Sequence, residues 1–122
     1  MTPEKTFENA LVAELQERGC FAHHIDTIGC DGFPDLIVLK DDDCLLLELK
    51  YNTSELRTEQ VAFRRYLASI NNFHEVLEIV KLKKGYVSIY NDECFSHSYT
   101  HETLGDLGSF LVNWIHHGRV YT

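Results

Sequence analysis

The stretch "GFPDLIVLKDDDCLLLELK", from Gly32 to Lys50, decides the fold of this chain. It contains two short apolar runs bounded by turn residues, a pattern that predicts two buried strands. The aspartates between the runs favour a tight hairpin whose two-residue turn is Asp41-Asp42. Charges stand at the open end of this hairpin, because Asp35 begins the first strand while Glu48 and Lys50 end the second.

The turn also predicts which residues of the two strands face each other. With this turn, Lys40 pairs with Asp43, and counting back along both strands places Asp35 opposite Glu48. Directly opposed residues share one face of a sheet, and Lys50, two residues past Glu48, points to that same face. A slip of one residue would place the two carboxylates on opposite faces, so the predicted site depends on this register.

Two carboxylates side by side at the end of a buried sheet repel each other unless a cation lies between them. Mg²⁺ is suited to such a pair, because it binds one or two carboxylates together with waters and substrate phosphate oxygens. The backbone carbonyl of Leu49 is a candidate further ligand, and Lys50 is placed to orient the attacking water or to neutralise the phosphate. This is the chemistry of phosphodiester hydrolysis. The alternative is an ordinary surface ion pair, which is common and weak.

The same residues carry a family resemblance. The pair Pro34-Asp35, twelve intervening residues and then Glu48-Leu49-Lys50 resembles the motif of the PD-(D/E)XK nuclease superfamily. The longer string "DGFPDLIVL…LLLELK…LRTEQVAFRRYL" resembles its VRR-NUC and Holliday junction resolvase branch. The resemblance implies an α/β fold with a restriction-endonuclease-like core, a mixed β-sheet flanked by helices in the order α-β-β-β-α-β.

The resemblance also implies roles for individual residues. Asp35 and Glu48 would be metal ligands, Lys50 would position the water, and the cofactor would be Mg²⁺, with Mn²⁺ as a substitute. Glu8 on the first predicted helix would bind the metal directly or through water, and Gln60 would support catalysis or contact the scissile strand. The alternative for Glu8 and Gln60 is a solvent-exposed helix position that needs no further cause.

Four basic residues are candidate DNA contacts. Arg64 lies four residues after Gln60, hence on the same helical face, and Arg57 precedes both. Lys83 and Lys84 form a small basic turn. The alternative in each case is a solvated basic surface without a role in binding.

Apolar periodicity predicts the remaining elements. We expect helices over about 4–18, 58–70 and 103–117, and further strands near 20–28, 75–82 and 86–90, whereas 92–102 reads as irregular. Inward positions on the first helix are Phe7, Ala10, Leu11 and Leu15. The chain is expected to form a single domain over 1–122, with a nuclease-like core over about 4–82 and a C-terminal hairpin strand and helix over about 83–122.

Composition limits the possible classes of protein. The chain has 122 residues, 44% of them hydrophobic, which is sufficient for the core of one domain. It has no apolar run long enough to cross a membrane and no signal peptide, and its four scattered cysteines do not suggest a disulfide framework. A cytoplasmic protein without membrane contact is expected.

The histidines and the last helix leave further alternatives open. His97 and His101, four residues apart, would share a face only in a helix, and no histidine or cysteine cluster has clean zinc spacing. Trp114 lies on an apolar face of the last helix, which is either core or a dimer surface. We expect a homodimer, since one small domain engages only one strand at a time.

The sequence therefore predicts a Mg²⁺-dependent DNA endonuclease that prefers branched DNA, in the manner of a Holliday junction resolvase. Its formal net charge of −8 opposes this prediction, because contact with phosphates requires positive charge. The alternative is an acidic protein of nuclease fold that acts through a protein partner, as a subunit or an inhibitor, with little cleavage of its own.

Overall fold

A computed structural model describes residues 2–25, 34–51, 76–91 and 96–117 of the chain. The helix predicted over about 58–70 lies outside these residues. The described elements are, in chain order, α1 (Pro3–Glu17), β1 (Phe21–His24), β2 (Leu36–Lys40), β3 (Asp43–Tyr51), β4 (Val76–Lys81), β5 (Tyr86–Asn91), β6 (Ser96–His101) and α2 (Leu104–His117).

The strands form one six-stranded mixed sheet in the order β1-β2-β3-β4-β5-β6. Neighbouring strands are antiparallel except β3 and β4, which are parallel. The open end of the hairpin, the carboxyl ends of β3 and β4 and the start of β5 therefore lie at one end of the sheet. This architecture confirms the predicted mixed sheet with flanking helices.

Both described helices begin at caps that the sequence encodes locally. The Thr2 side chain accepts a hydrogen bond from the backbone N–H of Lys5 at 3.2 Å, and Pro3 occupies the first turn of α1. At α2, Thr103 and Asp106 exchange reciprocal side-chain-to-backbone hydrogen bonds of 3.0 and 3.3 Å. These contacts satisfy amide groups that the first turn of a helix leaves without partners.

The main core lies between the two helices and one face of the sheet. Side chains from α1, α2 and alternate positions of the strands form it: Phe7, Leu11, Leu15, Cys20, Ala22, Leu36, Val38, Leu45, Leu47, Leu77, Ile79, Tyr90, Leu107, Leu111, Trp114 and Ile115. The core interpretation of Trp114 is thus confirmed, and its helix face is not a dimer surface. The prediction that Ala10 points inward was wrong, because Ala10 is exposed and only three residues of α1 are buried.

The segment "SHSYTH" forms strand β6, so the prediction that it is irregular was wrong. Its exposed serines and threonine alternate with half-buried His97, Tyr99 and His101, as expected for an edge strand with one side packed. His97 and His101 share that packed side: His97 stacks on Tyr90, and His101 packs against Phe110. The expectation that these histidines share a face only in a helix was also wrong, because residues four apart in a strand do so as well.

Strands β5 and β6 continue the sheet, and α2 packs beside α1. The division into a core over about 4–82 and an addition over about 83–122 stays a prediction. Neither α1 nor α2, the helices within the described ranges, is long and apolar enough to cross a membrane.

Candidate active site

The hairpin has the register that its sequence predicts. Lys40 pairs with Asp43 and Leu36 pairs with Leu47, as the predicted turn requires. Asp35 precedes the first residue of β2 and donates its N–H to the carbonyl of Leu47, so its predicted pairing with Glu48 stays a prediction. Asp41 in the turn has φ 55°, in the left-handed region that aspartate tolerates better than most residues. Glu48 and Lys50 therefore lie on one face of β3, as predicted, and the Asp35 carboxyl lies within hydrogen-bonding reach of the Glu48 side chain.

Asp35 is held by backbone contacts to both neighbouring strands. Its N–H donates to the carbonyl of Leu47 and its carbonyl accepts from the N–H of Ile25, both at 2.9 Å. Its side-chain Oδ2 accepts from the backbone N–H of Leu49 at 2.7 Å. The carboxylate of Asp35 is consequently fixed between β1 and β3.

Glu48 and Lys50 share one face of β3 and form a charged group with Asp35. Glu48 is 2% exposed, and its Oε1 lies 3.9 Å from the Nζ of Lys50. Burial raises the pKa of the Asp35 carboxyl, and the charge of Glu8 raises it further. The N–H of Leu49, the charge of Lys50 and a hydrogen bond with the Glu48 side chain oppose that pKa rise. Two carboxylates close to each other are repelled unless a cation lies between them, so the pair offers a place where a cation would be stabilised.

Glu8 lies on α1 and contacts His24 and Lys5. Its Oε1 lies 2.5 Å from Nδ1 of His24, and its Oε2 lies 3.5 Å from Nζ of Lys5. The sequence left open whether Glu8 is merely a solvated helix residue. The structure places it half-buried and close enough to Asp35 for its charge to raise the pKa of that carboxyl.

A further acidic residue, Glu78, lies next to Glu48 and is not part of the predicted motif. It pairs in register with Glu48 across the parallel strands β3 and β4, and it is only 8% exposed. Glu78 and Glu48 therefore point to the same face, opposite the face covered by α1 and α2. The available signal was a glutamate inside the apolar run "EVLEIVKL", the same anomaly that singled out Glu48 in "LLLELK".

The donor set agrees with the requirements of Mg²⁺ better than with those of a softer metal. In the described part of the chain, no group of three or more His, Cys, Asp or Glu side chains is arranged to hold a metal ion. Mg²⁺ needs no such cage, because one or two carboxylates, waters and a substrate phosphate satisfy it. The carboxylates of Asp35 and Glu48, together with the Leu49 carbonyl, match that pattern, whereas zinc would require a closed nitrogen and sulfur set.

The remaining predicted residues divide into two groups. Lys83 and Lys84 are exposed on the turn that follows β4, at the same end of the sheet as Asp35 and Lys50. Arg57, Gln60 and Arg64 lie outside the described residues, so their roles stay predictions.

Ser88 and His101 form another polar pair that could be mistaken for a catalytic dyad. Ser88 Oγ lies 2.9 Å from Nε2 of His101, but Ser88 is fully buried in the sheet. Burial also lowers the pKa of His101, although the charge of Asp106 opposes this pKa shift. A serine without access to solvent cannot attack a substrate, so this pair satisfies polar groups in the core.

Comparison with known proteins gives one informative result. No family model matches the sequence, and no curated protein matches it. Among solved structures, the chain is similar to Hjc of Archaeoglobus fulgidus, a Holliday junction resolvase from an archaeal hyperthermophile, with a TM-score of 0.52. The two share 17% sequence identity, and the similarity covers 85% of this chain and 98% of that one. At this identity the likeness establishes the fold, which is the restriction-endonuclease-like fold that the motif predicts.

Proposed function

We propose that this protein is a Mg²⁺-dependent DNA endonuclease that hydrolyses phosphodiester bonds and prefers branched DNA, including Holliday junctions. The observation that carries the proposal is the closeness of Asp35, Glu48 and Lys50 at the open end of the hairpin. The fold of a Holliday junction resolvase supports it independently, since that likeness extends over most of both chains.

The proposed roles follow from the geometry of the donors. Asp35, Glu48 and the Leu49 carbonyl would hold the cation, with Glu8 as a direct or water-mediated ligand. A bound Mg²⁺ lowers the pKa of a water molecule and stabilises charge that develops on the phosphate. Mn²⁺, which accepts the same oxygen ligands, would substitute for Mg²⁺.

Lys50 would orient the attacking water and neutralise the phosphate oxygens. Its ammonium lies 3.9 Å from Glu48 and is largely buried, so the hydrogen-bonded strand β3 restricts its position. Gln60 would contact the scissile strand or support the site, as the family resemblance implies.

DNA would approach the end of the sheet where Lys83 and Lys84 are exposed, with Arg57 and Arg64 as further phosphate contacts. Two active sites would be needed to cut two strands of a junction, and we propose that a homodimer supplies them. Contacts between these basic side chains and phosphates should make binding weaken as salt increases, whereas the net charge of −8 opposes binding.

Side-by-side cleavage of a four-way junction and a linear duplex of matching sequence tests this proposal. Wild type should cut the junction in Mg²⁺ and not in a chelator, and Lys50→Ala should cut neither substrate. If wild type cuts no junction, plasmid or single-stranded DNA in Mg²⁺ or Mn²⁺, the proposal is wrong.

The acidity of the chain favours one second candidate, an acidic protein of nuclease fold that acts through a protein partner. In that case DNA contact would come from a basic subunit, or the acidic surface would occupy the nucleic-acid site of another protein. Calorimetry with Mg²⁺ separates the two candidates. Binding that disappears in Asp35→Ala favours the nuclease, whereas absence of binding in the wild type favours the partner protein.

A further inference from the structure

We propose that His24 is a positioning residue, which holds the Glu8 carboxylate beside Asp35 and thereby strengthens metal binding. This inference rests on the proposed metal site. Neither the motif nor the family resemblance assigns a role to His24, and the adjacent pair His23-His24 carries no metal-binding spacing in the sequence.

The contact between His24 and Glu8 is short and shielded. The Nδ1 atom of His24 lies 2.5 Å from Oε1 of Glu8, and the two side chains are 31% and 19% exposed. The other carboxylate oxygen of Glu8 faces Lys5 at 3.5 Å, but that lysine side chain is 51% exposed. An exposed ion pair of this kind orders a carboxylate poorly. The histidine therefore sets the position of Glu8.

The backbone around His24 is hydrogen-bonded to β2 and to Asp35, the residue that precedes β2. His24 pairs with Leu36 in the sheet, and the next residue, Ile25, donates its N–H to the carbonyl of Asp35 at 2.9 Å. The histidine ring is thus carried by the strand next to Asp35. Glu8, by contrast, has a long side chain on a helix, and ordering such a side chain costs conformational entropy.

The contact with His24 places Glu8 at the end of the sheet that carries Asp35, since His24 pairs with Leu36, the residue that follows Asp35. Groups that orient a metal ligand through a hydrogen bond commonly alter metal affinity, even though they do not touch the metal. We expect His24 to orient Glu8 in this way, and Glu8 to add negative charge where a cation would bind.

The chain offers an internal control for this contact. His23 precedes His24 in β1 and points to the opposite face of the sheet, where it is exposed. Its replacement removes one histidine from β1 and leaves the contact between His24 and Glu8 in place.

Isothermal titration with Mg²⁺ on the full chain tests the inference. His24→Ala should weaken Mg²⁺ binding on the order of tenfold. His24→Asn should restore most of it, because an asparagine amide nitrogen is bonded to Cγ, as Nδ1 is in histidine. His24→Gln, which moves the amide one carbon further out, should not restore it, and His23→Ala should bind as the wild type does.

Two further measurements test whether His24 acts on metal binding through Glu8. In a Glu8→Gln background, His24→Ala should cause no additional loss of Mg²⁺ affinity, since the group that it positions is already changed. If His24→Ala does not fold, as thermal melting in chelator would reveal, the comparison of His24→Asn with His24→Gln replaces it.

Equal Mg²⁺ affinity in the asparagine, glutamine and wild-type proteins overturns the role of His24 and leaves the proposed nuclease intact. A wild-type protein that binds no Mg²⁺ and cuts no DNA overturns both.

Discussion

The Oδ2 atom of Asp35 accepts a hydrogen bond of 2.7 Å from the backbone N–H of Leu49. Leu49 lies between Glu48 and Lys50, so this single contact joins the start of one strand to the two charged residues at the end of the next. The carboxylate is thereby positioned by backbone atoms, which move less than side chains. Replacing its charge should leave this arrangement largely in place.

Asp35→Asn should abolish DNA cleavage while preserving the fold. The asparagine carbonyl oxygen can still accept from the N–H of Leu49, but the negative charge that would hold Mg²⁺ is lost. We expect activity to fall by roughly 10² to 10⁴, measured on a four-way junction, with thermal melting as the folding control. Asp42→Asn, in the exposed turn of the same hairpin, should retain full activity. Undiminished cleavage by Asp35→Asn would place the chemistry elsewhere.

The raised pKa of Asp35 predicts how stability depends on pH when no metal is bound. A carboxyl with a higher pKa in the folded state binds its proton more tightly there, so its favourable contribution is complete below the unfolded pKa of about 3.9. That contribution is lost as pH rises through the raised value. Wild type should therefore lose stability relative to Asp35→Asn as pH rises above about 4 in chelator. Urea unfolding of both proteins measures this difference, and parallel pH profiles would contradict the prediction.

Lys50→Met should separate metal binding from catalysis. The methionine fills similar volume, but it removes the ammonium 3.9 Å from Glu48, which repels an incoming cation. Mg²⁺ affinity measured by calorimetry should stay equal or rise, whereas cleavage should fall by about 10² or more. Lys40→Met, at the turn end of the same hairpin, is the control that should remain active. A parallel fall of affinity and cleavage would show that Lys50 supports the structure of the site instead.

Glu78→Gln tests whether the acidic residue in β4 belongs to the site. Its carboxylate shares a face with that of Glu48 and is nearly as buried. Removing this negative charge should weaken Mg²⁺ binding several-fold, about tenfold at most, as measured by calorimetry. Glu102→Gln, exposed just beyond β6, should have no effect. If the two variants bind Mg²⁺ equally well, Glu78 serves only the packing of the sheet.

Gly108→Ala should destabilise the contact between the two helices. A methyl group at this position would lie 2.6 Å from Nε of Arg18, and that side chain is held by Glu14 at 3.0 Å and by the carbonyl of Gly105 at 2.9 Å. We expect a net loss of about 1–3 kcal/mol in the free energy of unfolding.

Gly105→Ala provides the matched control for that measurement. The nearest atom to the new methyl group would lie 3.7 Å away, an ordinary contact. Alanine in a helix is favoured over glycine by about 1 kcal/mol, so this variant should be neutral or slightly stabilised. Equal chemical denaturation curves for the two variants would show that Arg18 moves aside without cost.

The register of the hairpin and the shared face of Glu48 and Lys50 could be predicted from the sequence, because every step of that prediction is local. A two-residue turn determines which residues face each other, and the alternation of side chains in a strand determines their face. The polar strand β6 was missed by the same local approach. Its alternation was present in the sequence, but its outward and inward residues are both polar, so no contrast in hydrophobicity revealed the period.

The roles of Glu78 and His24 depend on relationships that no local pattern contains. Glu78 faces Glu48 only because β4 pairs in parallel with β3 in one register, across a separation of 30 residues. Glu8 meets His24 only because α1 packs against the sheet beside β1. By itself the sequence determined the turn and the two strands of the hairpin that carries the charged residues. The tertiary structure alone decided which further side chains join them, because pairing between distant segments is set by the packing of the whole core.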